Sequence, residues 1–167
     1  LNLDNSFLPI HGPPGAEKSY TASHMIYDLI QKGKKVGITA LSHKVIMNLL
    51  KKVKEVADEQ QFNLTALYKG ATDQDDDEYW DLAKDNNVII SQLPNYPLIA
   101  GTSFMWSKAE LKDTLDYLFI DEAGQFALIE TLVVSHAAKN IVFLGDHQQL
   151  SQPIKGVHPD GTDVSAL

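Results

Sequence analysis

Short apolar runs alternate with longer amphipathic ones along this chain. Phe7 to His11 reads as a strand running into a glycine-rich turn. Ser19 to Gln31 carries Ala22, Met25, Ile26, Leu29 and Ile30 at helical spacing, and Gly33 stands where such a helix stops. Lys35 to Ala40 is a second strand. His43 to Val56 is a second amphipathic helix, with Val45, Ile46, Leu49, Leu50 and Val53 on one face. Leu64 to Tyr68, Asn87 to Ile90 and Pro97 to Gly101 read as further strands. Leu115 to Ile120 is strongly apolar, Phe126 to Ala138 is expected to be helical, and Asn140 to Leu144 closes the series. Strands alternating with helices predict an α/β fold with parallel pairing and helical crossovers. Strands apolar throughout, such as Tyr117 to Ile120 and Ile141 to Leu144, fit a sheet with helices on both faces. Ligands of such sheets bind beyond the carboxyl ends of the strands. The least regular stretch runs from about Lys69 to Asn95.

Composition narrows the classes. The 167 residues fit one domain with a real core. Absence of cysteine excludes disulfides, zinc–thiolate sites and iron–sulfur clusters within this stretch. No apolar run approaches the ~20 residues of a membrane helix. Leu1 to Ser6 has no signal-peptide character and no starting methionine, so an excised or processed piece in a cytoplasmic setting is expected. The formal charge of −8 argues mildly against a dedicated nucleic-acid module, but net charge hides local patches. Much of the acid lies in Asp73 to Glu78, which reads as a solvated loop.

Chemistry gathers at the strand ends. Gly12-Pro13-Pro14-Gly15-Ala16-Glu17-Lys18-Ser19 follows a strand and opens a helix, and it fits a phosphate loop except at Glu17. Glycines let backbone N–H groups curl toward phosphate oxygens, and the helix N-terminus adds its positive end. Lys18 would reach the β- and γ-phosphates and Ser19 would hold Mg²⁺. The expected nucleotide contacts run on to Tyr20. Glu17 opposes this. Two like charges ~4 Å apart repel by about 4 kcal/mol at an effective dielectric near 20, and a Cβ resists the positive φ open to glycine. Weakened nucleotide binding is therefore expected. A glycine-proline turn preceding Lys-Ser by chance is the bland alternative.

Asp121-Glu122-Ala123-Gly124-Gln125 ends the apolar strand. Asp121 would bind Mg²⁺, and Glu122 would polarise the attacking water. An acidic helix start would explain the pair equally simply. Gly145-Asp146-His147-Gln148-Gln149-Leu150 ends the next strand. There Gln149 would sense the γ-phosphate and Asp146 would anchor the loop.

In this order the motifs resemble those of superfamily-1B helicases, whose usual forms are Gly-Pro-Pro-Gly-Thr-Gly-Lys-Thr, Asp-Glu-Ala-x-Gln and Gly-Asp-x-x-Gln-Leu. The chain departs from the first at Ala16, Glu17 and Ser19. Thr39 to Lys44 looks like the family's motif Ia and Ala100 to Ser103 like motif Ib, which line the single-strand path. The resemblance thus makes Ser42, His43 and Thr102 candidate strand contacts, although a helix cap at Ser42 and a strand-end turn at Thr102 are open alternatives. It implies the first RecA-like motor domain of a helicase, a P-loop NTPase using ATP and Mg²⁺, with Glu122, Lys18 and Gln149 catalytic. It also implies single-stranded nucleic acid, DNA foremost, as partner, and a second RecA-like domain in the parent chain supplying arginines. All fourteen basic residues here are lysine. Val36 to Lys44 and Gly156 to Gly161 look more narrowly like bacterial helicases fused to a RecB-like nuclease.

Two other readings remain open. A degenerate scaffold draws support from Glu17, against Lys18, Asp121, Glu122 and Gln149. A nucleotide kinase would need an arginine-rich lid. The six histidines show no ligand spacing. Trp80 and Trp106 are candidates for stacking on bases, but a core role is favoured.

Overall fold

The structure is a computed structural model and describes residues 1–12, 17–70 and 80–146. Among the described residues, seven parallel strands form one sheet: β1 (Phe7–His11), β2 (Val36–Thr39), β3 (Ala66–Tyr68), β4 (Asp81–Leu82), β5 (Leu98–Ala100), β6 (Leu115–Ile120) and β7 (Ala138–Gly145). Their order across the sheet is β1-β7-β6-β2-β5-β3-β4. The expected α/β architecture is therefore present.

Both faces are covered, and the strands show why. Alternate residues point to opposite sides of a strand. Tyr117, Phe119, Val142 and Leu144 join one core with Ile26 and Leu29 of α1 (Lys18–Gln31) and Ile46, Leu49, Leu50 and Val53 of α2 (His43–Glu59). Leu118, Ile120 and Ile141 join a second core beneath α3 (Asn86–Gln92), α4 (Ser103–Trp106) and α5 (Leu128–Ser135). Gly37 in β2 makes room for this second core: a Cβ there would lie 3.1 Å from the Trp106 ring and closer still to Leu115. The Trp106 indole donates to the Ile38 carbonyl at 3.1 Å. Trp106 is wholly buried and Trp80 nearly so, which gives both tryptophans the core role.

Three expectations are corrected. Asn87 to Ile90 lies in helix α3 rather than a strand. Asp85 caps it by accepting from the Val88 N–H at 3.0 Å, and the brief apolar run buries only Ile89 fully, as one face of a helix does. The last predicted helix overshoots. Phe126 and Ala127 are extended, separating a 3₁₀ turn at Ala123–Gln125 from α5, which starts only at Leu128 and ends at Ser135, so that Ala138 already belongs to β7. Within the stretch from Lys69 to Asn95, the described residues hold β4, which no expectation covered, as well as α3. The acidic run Asp73 to Glu78 lies outside the described residues.

Candidate functional site

Parallel registers bring the motif-bearing strand ends level. His11 pairs with Gly145, Ile120 with Phe143, Thr39 with Ile120, and both Ile38 and Tyr68 with Ala100. One half of this carboxyl edge, β1, β7 and β6, carries the phosphate-loop lysine and the acids. The other half, β2, β5, β3 and β4, carries the remaining candidates.

At the first half, β7 is inserted between β1 and β6, so Asp146 at its end stands between the end of β1 and the acidic pair. The Gly12 N–H donates to the Gly145 carbonyl at 3.2 Å. The Lys18 ammonium turns back to the Gly12 carbonyl. Lys18 and Ser19 are half-buried in the first turn of α1. Tyr20 is 53% exposed and meets His24 edge-on with centroids 4.5 Å apart. Pro13, Pro14, Gly15, Ala16 and Gln149 lie outside the described residues, as does the Gly156 to Gly161 tail. Glu17 precedes α1 with φ −72° and is exposed. It occupies ordinary negative φ, so the expected backbone penalty of a Cβ at this position does not arise.

Asp121 is 8% exposed, and its pKa is pushed up to about 6. Burial is the main cause. The Glu122 N–H, donated to Asp121 Oδ1 at 2.8 Å, opposes it. The Glu122 carboxylate adds to the rise, while Lys52 and Lys18 pull the value down. Burial thus disfavours the carboxylate form of Asp121, and a divalent cation bound there would offset that cost by favouring the ionised form. Glu122 sits at φ 53°, ψ 39°, in the left-handed region that a non-glycine residue enters at a cost. This turn swings the chain from β6 straight into the 3₁₀ turn and leaves the Glu122 side chain half-exposed.

Gly124 was not singled out by sequence pattern, yet a Cβ there would stand 2.6 Å from the Asp146 carbonyl oxygen. The acidic turn and the Asp146 loop are thus packed backbone against side-chain-free backbone. Asp146 itself is 9% exposed.

At the second half, a cleft of about 450 Å³ is lined by His43, Lys69, Lys84, Asp85, Thr102 and Phe104, among others. It brings together His43 and Thr102, two of the three residues expected on a strand path. The His43 Nδ1 meets the Tyr68 hydroxyl at 2.8 Å, which fixes the ring. Ser42 is spent differently. It caps α2, accepting from the Val45 N–H at 3.3 Å, and does not line the cleft. Thr102 precedes α4 without capping it. Lys69, Lys84 and Phe104 escaped the sequence reading. The available signal was position: Lys69 directly follows β3 and precedes Gly70, as a strand-end ligand residue would.

No helix among the described residues is long and apolar enough to cross a membrane. No protein-family model matches the chain. Two curated proteins are similar to it. One is the DNA replication ATP-dependent helicase/nuclease dna2 of Schizosaccharomyces pombe, 29% identical over 165 residues. The other is the DNA replication ATP-dependent helicase/nuclease DNA2 of Saccharomyces cerevisiae, 26% identical over 157 residues. The alignments span 93% and 87% of this chain but only 12% and 10% of those proteins. Among solved structures, the UvsW helicase of bacteriophage T4 superposes over 83% of this chain and 45% of its own, with TM-score 0.57 and 12% identity. The C-terminal part of the Fun30 ATPase domain superposes over 76% of this chain and 40% of its own, with TM-score 0.51 and 15% identity. The sheet and its helices therefore have the RecA-like fold of helicase motor domains.

Proposed function

From a chain with a helicase motor fold and kinship to helicase/nucleases, we propose the first motor domain of a superfamily-1B helicase, which binds ATP and couples its hydrolysis to movement along a single strand of DNA. A second RecA-like domain of the parent completes the ATP site with arginines this chain lacks. A fused RecB-like nuclease and a cytoplasmic setting belong to the same proposal.

The observation that carries it is the carboxyl edge. The Gly12–Gly145 link, Lys18 and the Asp121–Glu122 turn occupy adjoining strand ends, and the His43–Thr102 cleft opens at the ends of β2 and β5 on the same edge. Backbone N–H groups at the start of α1 receive the phosphates. The Lys18 ammonium, held on the Gly12 carbonyl, exchanges that partner for β- and γ-phosphate oxygens. Glu122 takes a proton from the attacking water. Ser19 and Asp121 would hold Mg²⁺, which when bound neutralises charge on the phosphates. Gln149, outside the described residues, would sense the γ-phosphate. The tight Gly124–Asp146 contact holds the end of β7 against the acidic turn.

Steady-state ATP hydrolysis by the intact parent, with and without single-stranded DNA, tests the reading. Strand-stimulated hydrolysis is expected. Tight ATP binding without hydrolysis in either condition would overturn it.

A further inference from the structure

Both tryptophans, the side chains best suited to stack on bases, are buried. The aromatic surface at the cleft is instead Phe104. It is 70% exposed, directly follows the start of α4, and lies two residues beyond Thr102. Its ring belongs to two cavities at once. On one side it closes the cleft with His43, Thr102, Lys69 and Lys84. On the other it walls a pocket of about 230 Å³ between α4 and α5, floored by Ile129, Val133 and Val134, with Ser103, Ser107 and Glu130 also in its lining. That volume falls below the roughly 300–1,000 Å³ of sites that enclose whole small ligands, and suits a planar ring. The Lys108 ammonium lies over one face of the Phe104 ring, 4.7 Å from its centroid, and leaves the other face to a ligand. Asp85 is the acid among the residues lining the cleft, and its carboxylate is engaged in capping α3.

Resting on the reading of the cleft as the strand path, we infer that Phe104 is a stacking platform. One base of the bound strand leaves its neighbours and lies on the ring with its edge in the α4–α5 pocket, while the flanking phosphates run through the cleft past Lys69 and Lys84. A phosphate track beside an aromatic ring is the general form of sequence-tolerant single-strand binding. The pocket thus takes a nucleobase of any kind, selected by its flat apolar face.

Fluorescence anisotropy of this chain tests the inference with two labelled strands of about twelve nucleotides, one oligothymidylate and one wholly abasic, at low salt. Phe104→Ala should weaken oligothymidylate binding roughly tenfold and abasic binding less than about twofold, and Phe104→Trp should restore the former. The double variant Lys69→Gln, Lys84→Gln should weaken both strands alike and flatten the salt dependence. Equal loss on both strands with Phe104→Ala would overturn the platform while leaving the cleft as the strand path. No effect of the lysine changes on either strand, or no binding at all, would overturn the path and the platform together. Sedimentation separates the rival occupant of this surface. A dimer dissolved by Val133→Asp, with strand affinity unmoved by Phe104→Ala, would assign the pocket to a second copy of the chain and end the inference.

Discussion

The two halves of the sheet's carboxyl edge share one geometry and use opposite electrostatics. Beside β1, β7 and β6 two aspartates are inside: Asp121 and Asp146 are 8% and 9% exposed. Beside β2, β5, β3 and β4 the lysines are half-buried or exposed, and the exposed aromatic is Phe104. Charges in a low-dielectric setting interact strongly and escape salt screening, whereas exposed ones are weak and screened within about 10 Å. The first half is thus built to make one bound group count for several kcal/mol. On the proposed reading, the second holds a long polyanion through many small, exchangeable contacts. Strand β2 belongs to both, because the Thr39 carbonyl accepts from the Asp121 N–H at 2.9 Å and the same segment leads through Ser42 into α2.

If the halves are distinct, changes in one should leave the other intact. The largest effect expected is from Glu122→Gln in the intact parent, where loss of the water-activating carboxylate should slow ATP hydrolysis about a hundredfold or more. Affinity for single-stranded DNA should stay within about twofold. Single-turnover hydrolysis and anisotropy on the same preparation decide it. A matching fall in strand affinity would show that the acidic turn is structural and that the division is false.

Asp121→Asn comes next and should separate binding from stability. Its affinity for Mg²⁺-ATP should fall roughly tenfold or more, because a neutral amide replaces the cation's ligand. The nucleotide-free protein should become more stable. A carboxyl whose folded pKa is about 6 rather than 3.8 binds its proton more tightly when folded. That preference favours the fold below pH ~4 and is lost as the pH rises through ~6, leaving a deficit of about 3 kcal/mol at neutrality. Denaturation should therefore find Asp121→Asn more stable than the unaltered chain at pH ~7.5 and equal to it at pH ~4. A constant difference across that range would remove burial of the charge as the cause.

The contrast also explains what could be read from the sequence. Six of the seven described strands and the first two helices were legible because their apolar residues fall in short runs or at helical spacing, and the candidates of the nucleotide half could be named because they lie in contiguous motifs. Asn87 to Ile90 misled because three apolar β-favouring residues in a row carry no period, and the Asp85 cap decided the outcome. β4 is two residues long and α4 a single turn, too short for either periodicity to register. The cleft was only half legible. His43 and Thr102 were reached through resemblance, but Lys69, Lys84 and Phe104 meet only because β3, β4 and β5 end side by side. The Gly124–Asp146 contact is likewise a property of two loops in space.

Glu17 is the smallest test and the one most changed by the structure. From sequence, Glu17 is expected to weaken nucleotide binding on two grounds. The first, backbone strain, is gone, because φ is −72° and glycine would only loosen the start of α1. The second, repulsion of the phosphates, survives in reduced form. The side chain is exposed, so water and salt screen it, and a carboxylate at a helix N-terminus also stabilises that helix. The two remaining effects of Glu17→Gly oppose each other. Calorimetric titration of Mg²⁺-ATP should show a gain of less than about threefold at low salt, vanishing in roughly 0.5 M salt, where the Debye length shrinks to a few ångströms. Glu17→Gln, which removes the charge and keeps the backbone, should gain slightly more than Glu17→Gly. A tenfold gain that persists at high salt would mean that the carboxylate turns into the phosphate cradle. The nucleotide half would then carry an uncompensated charge that the rest of its architecture excludes.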